Sequence, residues 1–99
     1  MSRRKGELSS AMVDVGWPHQ VALPESETLG YRYRFVHEFC RDLSLCPRGH
    51  SVYHADQWWR VYCFKEAADA ELFRKRFGGE TFDPAQRGKG RYWAQWKKK

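Results

Sequence analysis

No apolar stretch in this 99-residue chain approaches the ~20 residues that a membrane-spanning helix needs, so no membrane partner is expected. Ser2-Arg3-Arg4-Lys5 runs into Gly6-Glu7 rather than an apolar segment, so the start does not read as a secretory signal. Cysteine is sparse and odd in number: Cys40, Cys46 and Cys63. Small secreted domains carry an even framework. A reduced, cytoplasmic protein is therefore expected, with a Cys40–Cys46 disulfide as the alternative. There is no CxxC pair, so His37, Cys40, Cys46, His50 and His54 make a thin set of zinc ligands. Arg87-Gly88-Lys89-Gly90 does not supply the order of a phosphate-binding loop, and no glycine-rich dinucleotide fingerprint occurs. The histidines His19, His37, His50 and His54 have the chemistry of a general acid or base. Nothing in their spacing brings two of them together. No enzyme activity, cofactor or metal is expected. Neither an internal repeat nor a low-complexity segment is present.

The clearest signal runs from Trp58 to Phe82. Trp58 to Phe64 is dense in β-branched and aromatic residues and holds no Gly or Pro, as in a central strand. Good helix formers follow, with Ala70, Phe73 and Phe77 on one face at i, i+3, i+7. Glu66 and Asp69 sit in the first turn and Arg74, Lys75 and Arg76 in the last, an order that suits the helix dipole. Gly78 stands at the left-handed stop position. Glu80 to Phe82 then reads as a short edge strand before Asp83-Pro84.

The remaining chain fills in around this unit. Residues 1–10 read as a flexible basic arm, 11–83 as a single α+β domain and 84–99 as a basic, aromatic C-terminal tail. Ala11 to Val15 is expected to extend a first strand or stay irregular. Trp17 to Leu23 reads as a strand, with Val21 and Leu23 on one face and Gln20 and Ala22 on the other. Residues 27–44 carry two patterns. Tyr31, Tyr33 and Phe35 alternate with Arg32 and Arg34 as in a strand. Phe35, Phe39 and Leu43 recur as in a helix, with Val36 and Cys40 beside them, and Ser26 as N-cap. The length favours the helix. His50 to Ala55 is a short strand, joined to Trp58 by a tight turn through Asp56-Gln57. The order is β-α-β-β-α-β, the ferredoxin-like split βαβ arrangement. It has a four-stranded antiparallel sheet with two helices on one face and the other face open.

Function rests on charge and rings. The net charge of +6 favours acidic partners, and the aromatic share, 16%, is high, with part of it expected on the surface. Burying an unpaired Arg is expensive. That places Trp59, Val61 and Cys63 against the helices and Trp58, Arg60, Tyr62 and Phe64 on the open face, where bases could stack. The competing expectation is that Tyr92, Trp93 and Trp96 cover that face, or that a second subunit does. Element order, with an aromatic strand before a helix ending in Phe77-Gly78-Gly79, resembles an RNA-recognition-motif domain over about Trp17 to Phe82. Lined up on Phe64, residues 57–64 give that family's third-strand pattern aromatic matches at Trp59 and Phe64. Its glycines are missing, and Val61 stands where a ring is expected. The resemblance implies that Trp59, rather than Trp58, looks away from the helices. In the tail, Arg87, Lys89, Arg91, Tyr92, Trp93, Lys97, Lys98 and Lys99 interleave cations with rings. The expected function is binding of single-stranded RNA or DNA. Trp58, Arg60 and Tyr62 would stack, and Lys89, Arg91, Tyr92, Trp93 and Lys97 to Lys99 would hold the strand. The alternative is self-association or an acidic protein partner on the same sheet face.

Overall fold

A computed structural model describes residues 10–47, 49–86, 88 and 94–97. The chain runs α1 (Ser10–Gly16), β1 (His19–Pro24), α2 (Tyr31–Phe39), β2 (His50–His54), β3 (Gln57–Phe64), α3 (Ala67–Phe77) and β4 (Glu80–Phe82). The strands form a four-stranded sheet in the order β2-β3-β1-β4, with every neighbouring pair antiparallel. β3 therefore lies between β1 and β2, and β1 lies between β3 and β4. Each helical crossover, through α2 and through α3, skips one strand. The α+β class and the antiparallel sheet follow the sequence expectation.

Local chemistry sets the boundaries. Ala55 and Asp56 adopt φ of 55° and 61° between the paired residues His54 and Gln57. Two left-handed residues in a two-residue hairpin loop match the right-handed strand twist. The turn falls one residue earlier than Asp56-Gln57. α3 ends where expected, with Gly78 at φ 79° and its N–H donating to the Arg74 carbonyl at 2.7 Å. Gly79 is required by close approach: a Cβ there would lie 2.6 Å from the Ala22 carbonyl oxygen. The N-terminal end of α3 is tied to the loop after α2 through Ser44. Its hydroxyl accepts from the Glu66 N–H at 2.9 Å, and its own N–H donates to Asp69 Oδ2 at 2.8 Å.

Residues 27–44 are shorter in helix than expected. Gly30 at φ 63° breaks the run, and single 3-10 turns at Glu25–Glu27 and Cys40–Asp42 flank α2. Ser26 is not the N-cap, because Thr28 closes the preceding turn by donating its hydroxyl to the Glu25 carbonyl at 2.8 Å. Ala11 to Val15 is helix, not strand. Val13 is buried on the sheet, and Gln20 Nε2, itself buried, donates to Asp14 Oδ1 at 3.0 Å and to the Trp17 carbonyl at 3.1 Å. That anchoring overrides the weak helix propensity of two valines.

Two cores flank the sheet. On one side α2 and α3 bring Val36, Cys40, Ala70 and Phe73 onto Val21, Leu23, Tyr62 and Phe64. On the other, Val13, Cys46, Phe82 and Trp96 pack with Ala22, Val52, Trp59, Val61 and Cys63, and Trp17 leans against them. The β3 faces are thus reversed from the Arg60 argument: Tyr62 and Phe64 lie under the helices, and Trp59, Val61 and Cys63 look away from them. The expense of burying Arg60 does not apply, because Arg60 remains half-buried at the margin of the helix layer. The face away from the helices is also not open, since α1, Trp17 and Trp96 cover it.

Candidate nucleic-acid interface

The residues singled out from the sequence separate. Tyr62 is only 4% exposed and packs on Phe73 with ring centres 4.9 Å apart, so it is a core residue rather than a stacking platform. Burial pushes its phenol up to about 12. Trp58 is exposed and meets Tyr53 edge-on at 5.3 Å. Arg60 is half-buried, and its charge adds to burial in holding the His37 imidazole below its ordinary value. Lys97 is exposed, and its backbone N–H donates to the Gln86 carbonyl at 2.7 Å. Lys89, Arg91, Tyr92, Trp93, Lys98 and Lys99, like the arm before Ser10, lie outside the described residues. The structure therefore does not bring Trp58, Arg60 and Tyr62 onto one accessible surface.

The thiols and histidines are likewise dispersed. Cys40, Cys46 and Cys63 are all buried, and Cys40 and Cys46 belong to the cores on opposite sides of the sheet. Burial, with Asp69 adding to it, pushes the Cys40 thiol up to about 12. His50 packs on Phe82, His54 on Trp96 and His37 on Tyr33. Among the described residues no three His, Cys, Asp or Glu side chains gather as a metal site. No helix among them is long and apolar enough to cross a membrane.

What the structure does assemble is α2. It buries Val36 and turns most of its other side chains outward. Tyr31, Tyr33 and Phe35 are 70%, 52% and 59% exposed, interleaved with the exposed Arg32 and Arg34. The alternation that resembles a strand in the sequence is, on a helix, a distribution of rings and guanidinium groups around the solvent side. Tyr31 meets Phe35 edge-on at 6.0 Å, and Tyr33 lies on His37 with centroids 4.1 Å apart and planes 36° apart. An open cleft of about 810 Å³ runs along this side, lined by Tyr31, Tyr33, Arg34, His37, Glu38 and Arg41. The inward stripe expected at Phe35, Phe39 and Leu43 shifts to Val36 and Cys40, with Phe39 and Leu43 half-buried and Phe35 outside. The sequence signal for this strip is a surplus of rings: one short helix cannot bury five of them on a single stripe.

His37 fixes the back of Tyr33. Its Nε2 is buried without a hydrogen-bond partner among the described residues. Burial, reinforced by the Arg60 guanidinium, holds the imidazole below its ordinary value. The unfolded chain therefore takes up this proton first. The stabilising contribution is full above about pH 6.5 and declines as pH falls through that value toward the folded one. Thermal midpoints measured from pH 7.5 to 5 should fall more for the wild type than for His37→Phe, which keeps the ring contact and cannot titrate. Parallel curves for the two proteins would assign the acid sensitivity to other groups.

Compared with protein-family models, curated proteins and solved structures, the chain matches none.

Proposed function

We propose that the chain binds single-stranded nucleic acid along the outer side of α2. One observation carries this reading: Tyr31, Tyr33 and Phe35 stand exposed on one helix among Arg32, Arg34 and Arg41. Apolar rings held in solvent beside guanidinium groups are costly as a bare surface and useful as a stacking site. Unpaired bases offer π-faces to the rings, and phosphates take the cations. A net charge of +6 supports the same partner, and exposed Lys97 adds a cation to those the sequence places near the C-terminus.

The test is a fluorescence-anisotropy titration with labelled oligouridylate of about twelve nucleotides, the matching single-stranded DNA, and a duplex, at low and moderate salt. Single strands should bind more tightly than duplex and weaken as salt rises. Tyr31→Ala with Tyr33→Ala should lower affinity at least tenfold, since each base–ring stack contributes ~1–3 kcal/mol. Trp58→Ala should leave it unchanged. Affinity that depends on salt but ignores both tyrosines would reduce the reading to a basic tail, and no binding at low salt would overturn it. Exposed Met12 and Val15 on the outer side of α1 favour a second reading, self-association. A mass that rises with protein concentration and falls with Val15→Lys would support it.

A further inference from the structure

Resting on the nucleic-acid reading, we infer that the α2 cleft holds an unpaired guanine base. Six side chains carry the argument. Tyr33 is a ring with one face fixed against His37 at 4.1 Å and the rest of it half in solvent. It is a stacking surface set before any ligand arrives. The same cleft holds Tyr31, Arg34, Glu38 and Arg41. The cleft is open to solvent along its length, and its volume of about 810 Å³ leaves room for a base laid against the ring.

Within that lining Glu38 is the one anion. A cleft built only for phosphate would exclude a carboxylate, because it repels the strand. Glu38 is not consumed by structure either. Its contact with Arg41 is 3.4 Å long, and both side chains are largely exposed, so the pair contributes little to stability. The carboxylate can accept two hydrogen bonds and lines the same cleft as Tyr33, Arg34 and Arg41.

That donor and acceptor set selects among bases. An ionised carboxylate only accepts, and its two oxygens match two parallel N–H donors. On the Watson–Crick edge, guanine alone offers adjacent donors, N1–H and the N2 amino group, with the O6 acceptor next to them. Adenine and cytosine pair one amino donor with a ring-nitrogen acceptor that faces the carboxylate unfavourably. Uracil places a single N–H between two carbonyls. Guanine stacked on Tyr33 would give both donors to Glu38 and present O6 to Arg34 or Arg41, while the remaining guanidinium and Arg32 take phosphate. Single-stranded segments expose this edge and duplexes do not.

Anisotropy with labelled oligouridylate, alone or with one central guanosine, tests the inference. One guanosine should raise affinity about tenfold, the ratio that two added hydrogen bonds give. Inosine at that position lacks the N2 amino group and should recover only part of the gain. Glu38→Ala should abolish the preference, so that the guanosine strand binds no more tightly than plain oligouridylate. Equal affinity for uridine, inosine and guanosine strands in a protein that still needs Tyr31 and Tyr33 overturns the guanine site and leaves the stacking reading intact. A guanosine preference that survives Glu38→Ala overturns it too. No binding to any strand overturns both.

Discussion

Phe73→Ala is expected to cost about 3–5 kcal/mol, the range for removing a fully buried aromatic side chain. Phe73 has no exposed surface and meets three other rings: Tyr62 at 4.9 Å, Phe64 at 5.2 Å and Phe77 at 5.0 Å. With Ala70 it joins α3 to the core residues of β3. Roughly 0.05–0.15 kcal/mol per residue gives a chain of 99 residues about 5–15 kcal/mol in all. The substitution therefore removes a large fraction of the total. Two neighbouring features prevent easy recovery. Gly79 is pressed against the β1 backbone, and Ser44 ties the start of α3 to the loop after α2, so α3 cannot slide inward to fill the space. Urea unfolding followed by tryptophan fluorescence measures the loss. Because so large a loss makes global unfolding frequent, labelling of Cys40, Cys46 and Cys63 by a thiol reagent should accelerate together on both sides of the sheet. A loss under about 1.5 kcal/mol would mean that the ring cluster repacks and is not the keystone of that face.

Much of the scaffold is legible in the sequence, and the reason differs by element. β3, α3 and β4 can be read because propensity, apolar spacing, charge order and the Gly78 stop agree there. α1 cannot be read that way. Two valines in seven residues argue against helix, and only the burial of Val13 and the Gln20 hydrogen bonds explain it. The faces of β3 show where a single-residue rule fails. Arg60 suggests an exposed face only if the helices cover the whole strand, and they leave its margin accessible. The resemblance to the RNA-recognition motif puts Trp59 on the face away from α2 and α3, where it lies with Val61 and Cys63, but it implies an exposed Trp59, and that face is covered so that Trp59 is buried and Trp58 exposed.

The candidate interface is legible in its composition and not in its location. Rings interleaved with arginines occur at Tyr31 to Phe35, at Trp58 to Tyr62 and near the C-terminus. The sequence does not say which of these sets faces water, since that depends on what packs over each. In the fold, Tyr62 goes inside and Tyr31, Tyr33 and Phe35 stay out. The distinction comes from the length of α2. Val36, with half-buried Phe39 and the Cys40 that follows, docks so short a helix, and Tyr31, Tyr33 and Phe35 have no inward position left.

Trp96→Ala should open the second face alone. Trp96 is almost fully buried and stands edge-on to Trp59 at 5.3 Å and to Phe82 at 5.2 Å. Among the described residues its segment bonds to Tyr53 and to 86–88, where the Lys97 N–H donates to the Gln86 carbonyl at 2.7 Å and the Gly88 N–H to the Gln95 carbonyl at 2.8 Å. The Trp96 N–H donates to the Tyr53 carbonyl at 3.0 Å, the Tyr53 N–H to the Ala94 carbonyl at 2.7 Å, and Trp96 Nε1 to Gln86 Oε1 at 3.2 Å. The Tyr53 bonds attach it to β2, an edge strand, and the others to the loop after β4, so without the indole the segment keeps only bonds at the margin of the fold. The expected loss is again about 3–5 kcal/mol, but its signature differs from that of Phe73→Ala. Cys46 and Cys63 share the core that Trp96 closes, and Cys40 lies across the sheet. Relative to wild type, labelling of Cys46 and Cys63 should accelerate well beyond that of Cys40. Equal acceleration of all three would mean that this face opens only when the whole domain unfolds. The same variant separates the two places where rings could meet a nucleic acid. If bases bind on α2, affinity measured below the unfolding transition should not change when Trp59 and Val61 are uncovered. Affinity that rises on uncovering them would return the stacking surface to the sheet, with Trp96 as its cover.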